Sequence, residues 1–314
     1  MDLADGYTFR APTADDLQAV AAVLVADQLD ASGHAVLDVD YVRSWWDSAG
    51  FDLVCDAWVV IDEAGPVVAY GQVMRENPKA IESWGVVHPD HRGRGIGAAL
   101  LDRIEARASE LAAVGPAVRF RHAINSGDEP AAEMLRARGL LPVRHFWHMQ
   151  IDLDEQFEPT DPPPGIEIAA IDPHADLAAM HAILSEAFAN DWDYHPEPLD
   201  RWSADNATGP TFHPTLCLLA RDDGRPIGAL MARLFDDRGW VSELGVLASH
   251  RGRGVGAALL RRSFASFARR GIRRVMLNVD AQNPTGATAL YERVGMTVAN
   301  RWTLWERSPA DTGR

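Results

Sequence analysis

Two cysteines in 314 residues, Cys55 and Cys217, provide no disulfide framework and no metal-ligand spacing. Each sits in an apolar stretch (Phe51 to Val60, Leu216 to Ala220) and is expected to be a small buried hydrophobe in a reducing cytoplasm. No run approaches the ~20 apolar residues of a membrane span, and residues 1–10 carry Asp2 and Asp5 without the apolar core of a signal peptide. Positive charge is also scarce: the formal net charge is -15. Such a surface argues against a general nucleic-acid partner, whose phosphates call for Lys and Arg. The sequence is compatible with a monomer or a homodimer, and Ser308 to Arg314 read as a frayed tail.

What is present is a repeat. His91-Arg92-Gly93-Arg94-Gly95-Ile96-Gly97-Ala98-Ala99-Leu100-Leu101 returns as His250-Arg251-Gly252-Arg253-Gly254-Val255-Gly256-Ala257-Ala258-Leu259-Leu260. Landmarks around it return in the same order and at nearly the same spacing. Asp16-Leu17 matches Asp176-Leu177, Pro66-Val67 matches Pro226-Ile227, and Gly139-Leu140 matches Gly295-Met296. The repeated unit is therefore a whole domain. The segment Asp154 to Gly165, with three consecutive prolines, reads as a stiff linker. The expected organisation is a first domain over 1–154, a linker over 155–165 and a second domain over 166–314.

Within each half, a strand (Tyr7 to Ala11; Ile166 to Ala170) leads to a helix (Asp15 to Leu29; Asp176 to Ala189) and an irregular stretch. Two hairpin-linked strands follow (Ala57 to Asp62 and Val67 to Arg75; Thr215 to Arg221 and Pro226 to Phe235). A further strand (Ile81 to Val87; Trp240 to Leu247) runs into the glycine loop, which opens a long amphipathic helix (Gly97 to Leu111; Gly256 to Arg270). A strand, a short helix and a last strand finish each half. The expected class is mixed α/β, with a mostly antiparallel sheet flanked by helices, rather than a purely parallel doubly wound sheet.

A strand that ends in Arg-Gly-Arg-Gly-x-Gly and turns into a helix suits an anion. Glycines allow positive φ, so that backbone N–H groups converge, and the helix N-terminus adds its own free N–H groups and partial charge. The arginines can add charge-assisted bonds. A pyrophosphate is the natural guest. The dinucleotide fingerprint does not fit, because this loop follows several strands instead of the first one. The Walker loop does not fit either, since no Gly-Lys-Ser/Thr follows.

Val87-His88-Pro89-Asp90-His91 followed by Arg92 to Gly97, and Val246-Leu247-Ala248-Ser249-His250 followed by Arg251 to Gly256, resemble the signature loop of the GNAT superfamily of acyl-CoA-dependent N-acetyltransferases. The resemblance covers nearly the whole chain, and the tandem arrangement is similar to that of mycothiol synthases and their actinobacterial relatives, in which the C-terminal domain carries catalysis. It implies acetyl-CoA as cofactor and a small-molecule amine as acceptor. It further implies that Arg92, Gly93, Arg94, Gly95, Ile96, Gly97 and Ala98, and Arg251, Gly252, Arg253, Gly254, Val255, Gly256 and Ala257, hold the pyrophosphate. Backbone groups at Val86, Val87 and His88, and at Gly245, Val246 and Leu247, would hold the pantetheine arm.

The halves differ where the resemblance places chemistry. Asn283 through Tyr291 to Gly295 is similar to the family's Asn…Leu-Tyr…Gly pattern, in which the tyrosine protonates the leaving thiolate and Asn283 belongs to the cofactor site. Aligned on Gly139 and Gly295, the first half has Leu135 at the tyrosine position and Gly127 at the asparagine position. The general base in many members is a glutamate on the strand before the loop, at a place that holds Trp240 here and Ile81 in the first half. Glu243 lies three residues on, and alternation along a strand points it to the other face unless a bulge intervenes. Glu243 is thus read either as the base or as a surface carboxylate. In the stretch Glu186 to Pro196, Trp192, Asp193 and Tyr194 suit a cationic amine, or else form a capped helix end with a solvated loop. The expected activity is N-acetyl transfer in the second half. A mycothiol synthase acting on a cysteinyl amino-sugar conjugate and a non-catalytic acyl-CoA-binding protein are the alternatives.

Overall fold

The computed structural model describes residues 3–48, 50–75, 79–113 and 118–308. The tail beyond Ser308 lies outside them. The chain forms two compact units: residues 1–147 with 299–314, and residues 148–298.

Unit 1 runs β1 (Tyr7–Arg10), α1 (Leu17–Ser32), α2 (Val39–Trp46), β2 (Ala57–Asp62), β3 (Val67–Met74), β4 (Ala80–Val87), α3 (Ile96–Ala113), β5 (Arg119–Asn125), α4 (Glu129–Ala137) and the start of β6 (Leu141–Asp152). Strands β1 to β5 lie side by side in chain order, antiparallel except for the parallel pair β4–β5. Strand β3 is buried from Val68 to Val73 because both its faces are covered. On one face Val60, Val73 and Ile81 pack with Ile96, Leu100 and Ile104 of α3. On the other, Val59, Tyr70 and Val86 pack with Val20, Val23 and Leu24 of α1. This three-layer arrangement is mixed α/β, as the element pattern predicts.

Unit 2 repeats the plan with β7 (Ile166–Ala170), α5 (Leu177–Phe188), α6 (Leu199–Asn206), β8 (Leu218–Asp222), β9 (Arg225–Leu234), β10 (Arg238–Val246), α7 (Val255–Ala268), β11 (Arg274–Asp280) and α8 (Ala287–Arg293). Met180 and Leu184 of α5, with Trp202 of α6, cover one face of the sheet. Phe264 and Phe267 of α7 are fully buried. A Cβ at Gly239 would stand 2.6 Å from the Phe267 ring, so α7 seats directly on β10 only because that position has no side chain. Gly239→Ala is expected to destabilise the protein by about 2 kcal/mol, the cost of overpacking a tight core, and to lower Tm by several degrees in a thermal melt. An unchanged Tm would show that the ring can yield.

The compact units are not the two contiguous halves. Strand β12 (Thr297–Arg307) pairs antiparallel with β5, from Trp302↔Asn125 to Arg307↔Phe120, and so closes the sheet of unit 1. Residues 148–152 of β6 stand beside β11 in unit 2. The 155–165 segment therefore lies within unit 2 and does not mark the division. Both final strands are long, with 12 and 11 residues, and both carry buried apolar positions.

Two further differences from the sequence reading concern the irregular stretches and one cysteine. Each stretch contains an eight-residue helix, α2 and α6, that no matched landmark of the repeat marks. The Asp38 carboxylate caps α2 by accepting from the N–H groups of Asp40 and Tyr41. Cys217 is buried as expected, but Cys55 is exposed. The Asp52 carboxylate accepts from the N–H groups of Val54 and Cys55, which closes a turn before β2 begins at Ala57.

Candidate active site

Each glycine loop alternates handedness. Gly93 and Gly95 have φ of 75° and 77°, and Gly252 and Gly254 have φ of 76° and 85°. At Gly93, Gly95 and Gly252 an added Cβ would meet nothing within 4 Å, so glycine is needed there for backbone conformation and not for room. Alternating left-handed residues turn successive N–H groups inward, and α3 and α7 start at once beyond them. Gly256 serves a different purpose: its Cβ would press on Leu290 at 3.1 Å, so it seats α7 against α8.

The loop arginines are tied to the protein. Arg92 and Arg251 donate through Nε to the carbonyls of Val87 and Val246. Arg92 also binds the Asp27 and Asp30 carboxylates, whereas Arg251 binds the Ala187 carbonyl. Arg94 bonds Tyr7, and Arg253 bonds Asp222. His88 caps its own turn by accepting from the Asp90 N–H. The convergent backbone N–H groups are therefore the main elements of each cradle.

The strands ahead of the loops splay from their parallel neighbours. Pairing of β4 with β5 ends at Trp84↔Ala123, although β4 continues to Val87. Pairing of β10 with β11 ends at Val241↔Leu277, although β10 continues to Val246. Edge backbone groups beside Val86, Val87, Gly245 and Val246 are thus left for an amide-bearing ligand. In unit 1 the cleft is a cavity of about 610 Å³, running from Gly95 and Gly97 past Val86 and Val87 to Asn125 and His122. An anion nest continuous with an amide-edged slot fits acetyl-CoA.

Unit 2 adds ionisable groups. Strand β10 carries a bulge: Val241 pairs with Ala232 and Glu243 with Met231, so Ser242 is the extra residue. Gly239, ahead of the bulge, faces Phe267 of α7, whereas Gly245, beyond it, faces Ala187 and Leu184 of α5. The bulge has brought Glu243 onto the same face as Trp240, the α5–α6 side. Trp202 of α6 hydrogen-bonds the Glu243 carboxylate, and Oε2 is shielded from solvent without a hydrogen-bond partner. Burial outweighs the Trp202 bond and the nearby Arg233, and raises the carboxyl to about 7.

Tyr291 sits on α8 and is 8% exposed. Burial, with a smaller contribution from Asp191, pushes its phenol up to about 12. The Asn283 side chain bonds Asp191 (3.3 Å) and accepts from the backbone and hydroxyl of Thr285, so it is committed to the turn that opens α8. That bond also ties the segment holding Trp192, Asp193 and Tyr194 to the α8 end of the unit. Asp193 is a non-glycine residue at positive φ (59°), with its carboxylate 3.7 Å from His195.

Unit 1 is filled at the corresponding places. Trp84 pairs with Gln72 of β3 in the register that Glu243 holds with Met231. It packs beside Trp45 and Tyr70, with ring centroids at 5.2 and 6.3 Å, and Tyr70 in turn accepts from Trp46. Leu135 is fully buried. Glu82, the acid beside Ile81, makes an ion pair with Arg121.

Sequence reasoning did not find Trp202, Arg233 or Trp84, and placed Asp191 only among the acids of the 186–196 stretch. Trp202 stands in a stretch that no matched landmark marks, and the other three gain meaning only from strand register and from contacts between separated segments of the chain. Among the described residues no helix is long and apolar enough to cross a membrane, and no group of His, Cys, Asp and Glu could hold a metal ion.

Comparison with known proteins agrees with this geometry. A model of the Acetyltransferase (GNAT) family matches residues 177–296, and one of the Acetyltransferase (GNAT) domain matches residues 55–135. A mycothiol acetyltransferase of Cellulomonas flavigena is 34% identical over 257 residues, covering 76% of this chain and 71% of that protein. One from Beutenbergia cavernae is 35% identical, with 76% and 79% covered. The crystal structure of a GCN5-related N-acetyltransferase from Sphaerobacter thermophilus superposes with TM-score 0.87 at 31% identity, covering 98% of this chain and 97% of that one. A tandem GNAT protein from the clavulanic acid biosynthesis pathway shares the fold at TM-score 0.69 and 18% identity, with 96% and 98% covered. With its two phosphate cradles, two splayed strands and matches in both halves, the chain belongs to the GNAT family of acetyl-CoA-dependent acetyltransferases.

Proposed function

We propose that unit 2 transfers the acetyl group to the primary amine of a small molecule, with Glu243 as general base and Tyr291 as general acid. The observation that carries this reading is the bulge at Ser242, which turns a largely buried carboxylate toward α6. Bound acetyl-CoA supplies an acetyl group activated as a thioester. The N–H groups from Gly252 to Gly256 hold its pyrophosphate, and the backbone at Gly245, Val246 and Leu247 holds its arm. Glu243 takes a proton at Oε2 from the acceptor's ammonium, and a carboxyl near 7 is suited to that near neutrality. Tyr291 keeps a proton at Oη for the departing thiolate. Trp192, Asp193 and Tyr194 receive the cationic acceptor.

Unit 1 keeps a cradle but has Trp84 and Leu135 in place of the base and acid, so it does not turn over. Gly254→Asp sets a carboxylate against the phosphates at a positive-φ position. It should lower kcat/KM for acetyl-CoA by about 100-fold or more, since like charges in contact cost several kcal/mol. Gly95→Asp should cost at least tenfold less. Equal losses would count against the division of labour.

A narrower reading follows from the mycothiol acetyltransferase relatives: the acceptor is a cysteinyl amino-sugar conjugate. Incubating the purified protein with acetyl-CoA and that conjugate, beside a panel of simple amines, and measuring the N-acetylated products by mass spectrometry separates the two.

A further inference from the structure

The cavity of unit 1 contains a polar pair that the fold does not require. Ser83 and His122 face each other across β4 and β5, on the α3 side of the sheet. The matching register of unit 2 holds Val241 and Leu277, both buried and apolar. Burying a serine and an imidazole where an apolar pair suffices costs free energy unless the pair is used. The Ser83 hydroxyl donates to the Arg121 carbonyl at 2.7 Å, so its oxygen accepts from His122 Nδ1 at 2.8 Å. This fixes the tautomer: Nε2 carries a lone pair and no hydrogen. Among the described residues nothing hydrogen-bonds Nε2, and His122 lines the inner part of the cavity that begins at the glycine loop. Burial lowers the imidazole to about 4, so it stays an acceptor at neutral pH.

A ligand whose anionic end occupies the loop and whose arm follows the splay meets, at the far end, an acceptor with no donor. A thioester sulfur has no hydrogen to give, whereas a thiol does. We propose that the unit 1 cavity is a binding site selective for coenzyme A with a free thiol over its acetyl thioester, with His122 Nε2 accepting the S–H. Unit 1 is then a reader of the product of the transfer. The inference rests on the family's use of coenzyme A, and is independent of which unit catalyses transfer.

The test titrates the full-length Gly254→Asp protein, whose unit 2 cradle is disabled, with coenzyme A, acetyl-CoA and desulfo-coenzyme A by calorimetry under reducing conditions. Coenzyme A should bind roughly 3- to 10-fold tighter than the other two, the range of one hydrogen bond. The double substitution Ser83→Val with His122→Leu, which installs the pair that unit 2 already tolerates, should erase the difference. In the ¹⁵N spectrum of the same Gly254→Asp protein, the His122 Nε2 resonance should move with coenzyme A and stay in place with desulfo-coenzyme A, a readout that does not depend on the double variant folding. Equal affinities, a preference that survives the double substitution, an unmoved Nε2, or no binding to unit 1 would each overturn the proposal.

Discussion

Tyr291→Phe should lower kcat by about 10²- to 10³-fold, within the range of a lost general acid, and leave KM for acetyl-CoA within a fewfold. The ring is 8% exposed and phenylalanine keeps its packing, so the melting curve should barely move. The cradle from Arg251 to Gly256 lies on another element, so donor binding is spared. Burial and the nearby Asp191 hold the phenol at about 12, above its ordinary 10, so it carries its proton at every working pH. An alkyl thiolate, whose conjugate acid is near 8.5, accepts from such a group only when held against it. The chain contains its own control. Unit 1 has Leu135 at this place, a residue that packs but holds no proton. A loss below threefold for Tyr291→Phe would mean that the thiolate leaves without help from this hydroxyl.

Glu243→Gln should lower kcat/KM by about 100-fold at pH 8 and remove an inflection from the pH profile. A base works only when ionised. With the carboxyl raised to about 7, the wild-type rate should climb through neutrality and level off above it. The variant should be flat across that interval. The same shift has an opposite sign for stability. A carboxyl raised above its ordinary 4.5 prefers its proton in the folded state. Its contribution is complete below about 4.5 and is lost as the pH rises through about 7. The variant should therefore match the wild type near pH 4 and become more stable toward pH 8, by at most about 3 kcal/mol. Thermal melts of both proteins between pH 5 and pH 8 check this. A constant Tm difference would show that Glu243 ionises as an ordinary surface carboxylate, and it would lose its role as base.

This second expectation separates the two readings that the sequence left open. Counting along β10 from Trp240 points Glu243 to the wrong face. The count fails because Ser242 is an extra residue, and nothing in Trp-Val-Ser-Glu-Leu signals it. A bulge arises from how two strands twist and pair, so its position is a property of β9 and β10 together.

Local patterns made much else legible. The glycine loops, the order of strands and helices and the two-fold repeat follow from positive-φ requirements and hydrophobic periodicity, which act within a few residues. The same is true of Leu135 against Tyr291, since matched glycines align them. Helices α2 and α6 were not legible, because no matched landmark of the repeat marks them, as Gly295 marks the end of the seven-residue α8. The side chains they contribute, Trp45 and Trp46 in unit 1 and Trp202 in unit 2, then decide whether the acceptor side is filled with rings or holds a carboxylate.

The sequence by itself therefore determined the two phosphate cradles, because a phosphate nest is built from consecutive backbone groups whose glycines can be read directly, and its resemblance to the GNAT family supplied the cofactor. Only the tertiary structure decided what stands around each cradle. The bulge that turns Glu243 depends on the pairing of two strands, and the carboxylates that hold Arg92, the partner that sets the His122 tautomer and the strand that completes each sheet join residues far apart in the chain. Those pairings follow from burial and strand register, which no local pattern of residues encodes.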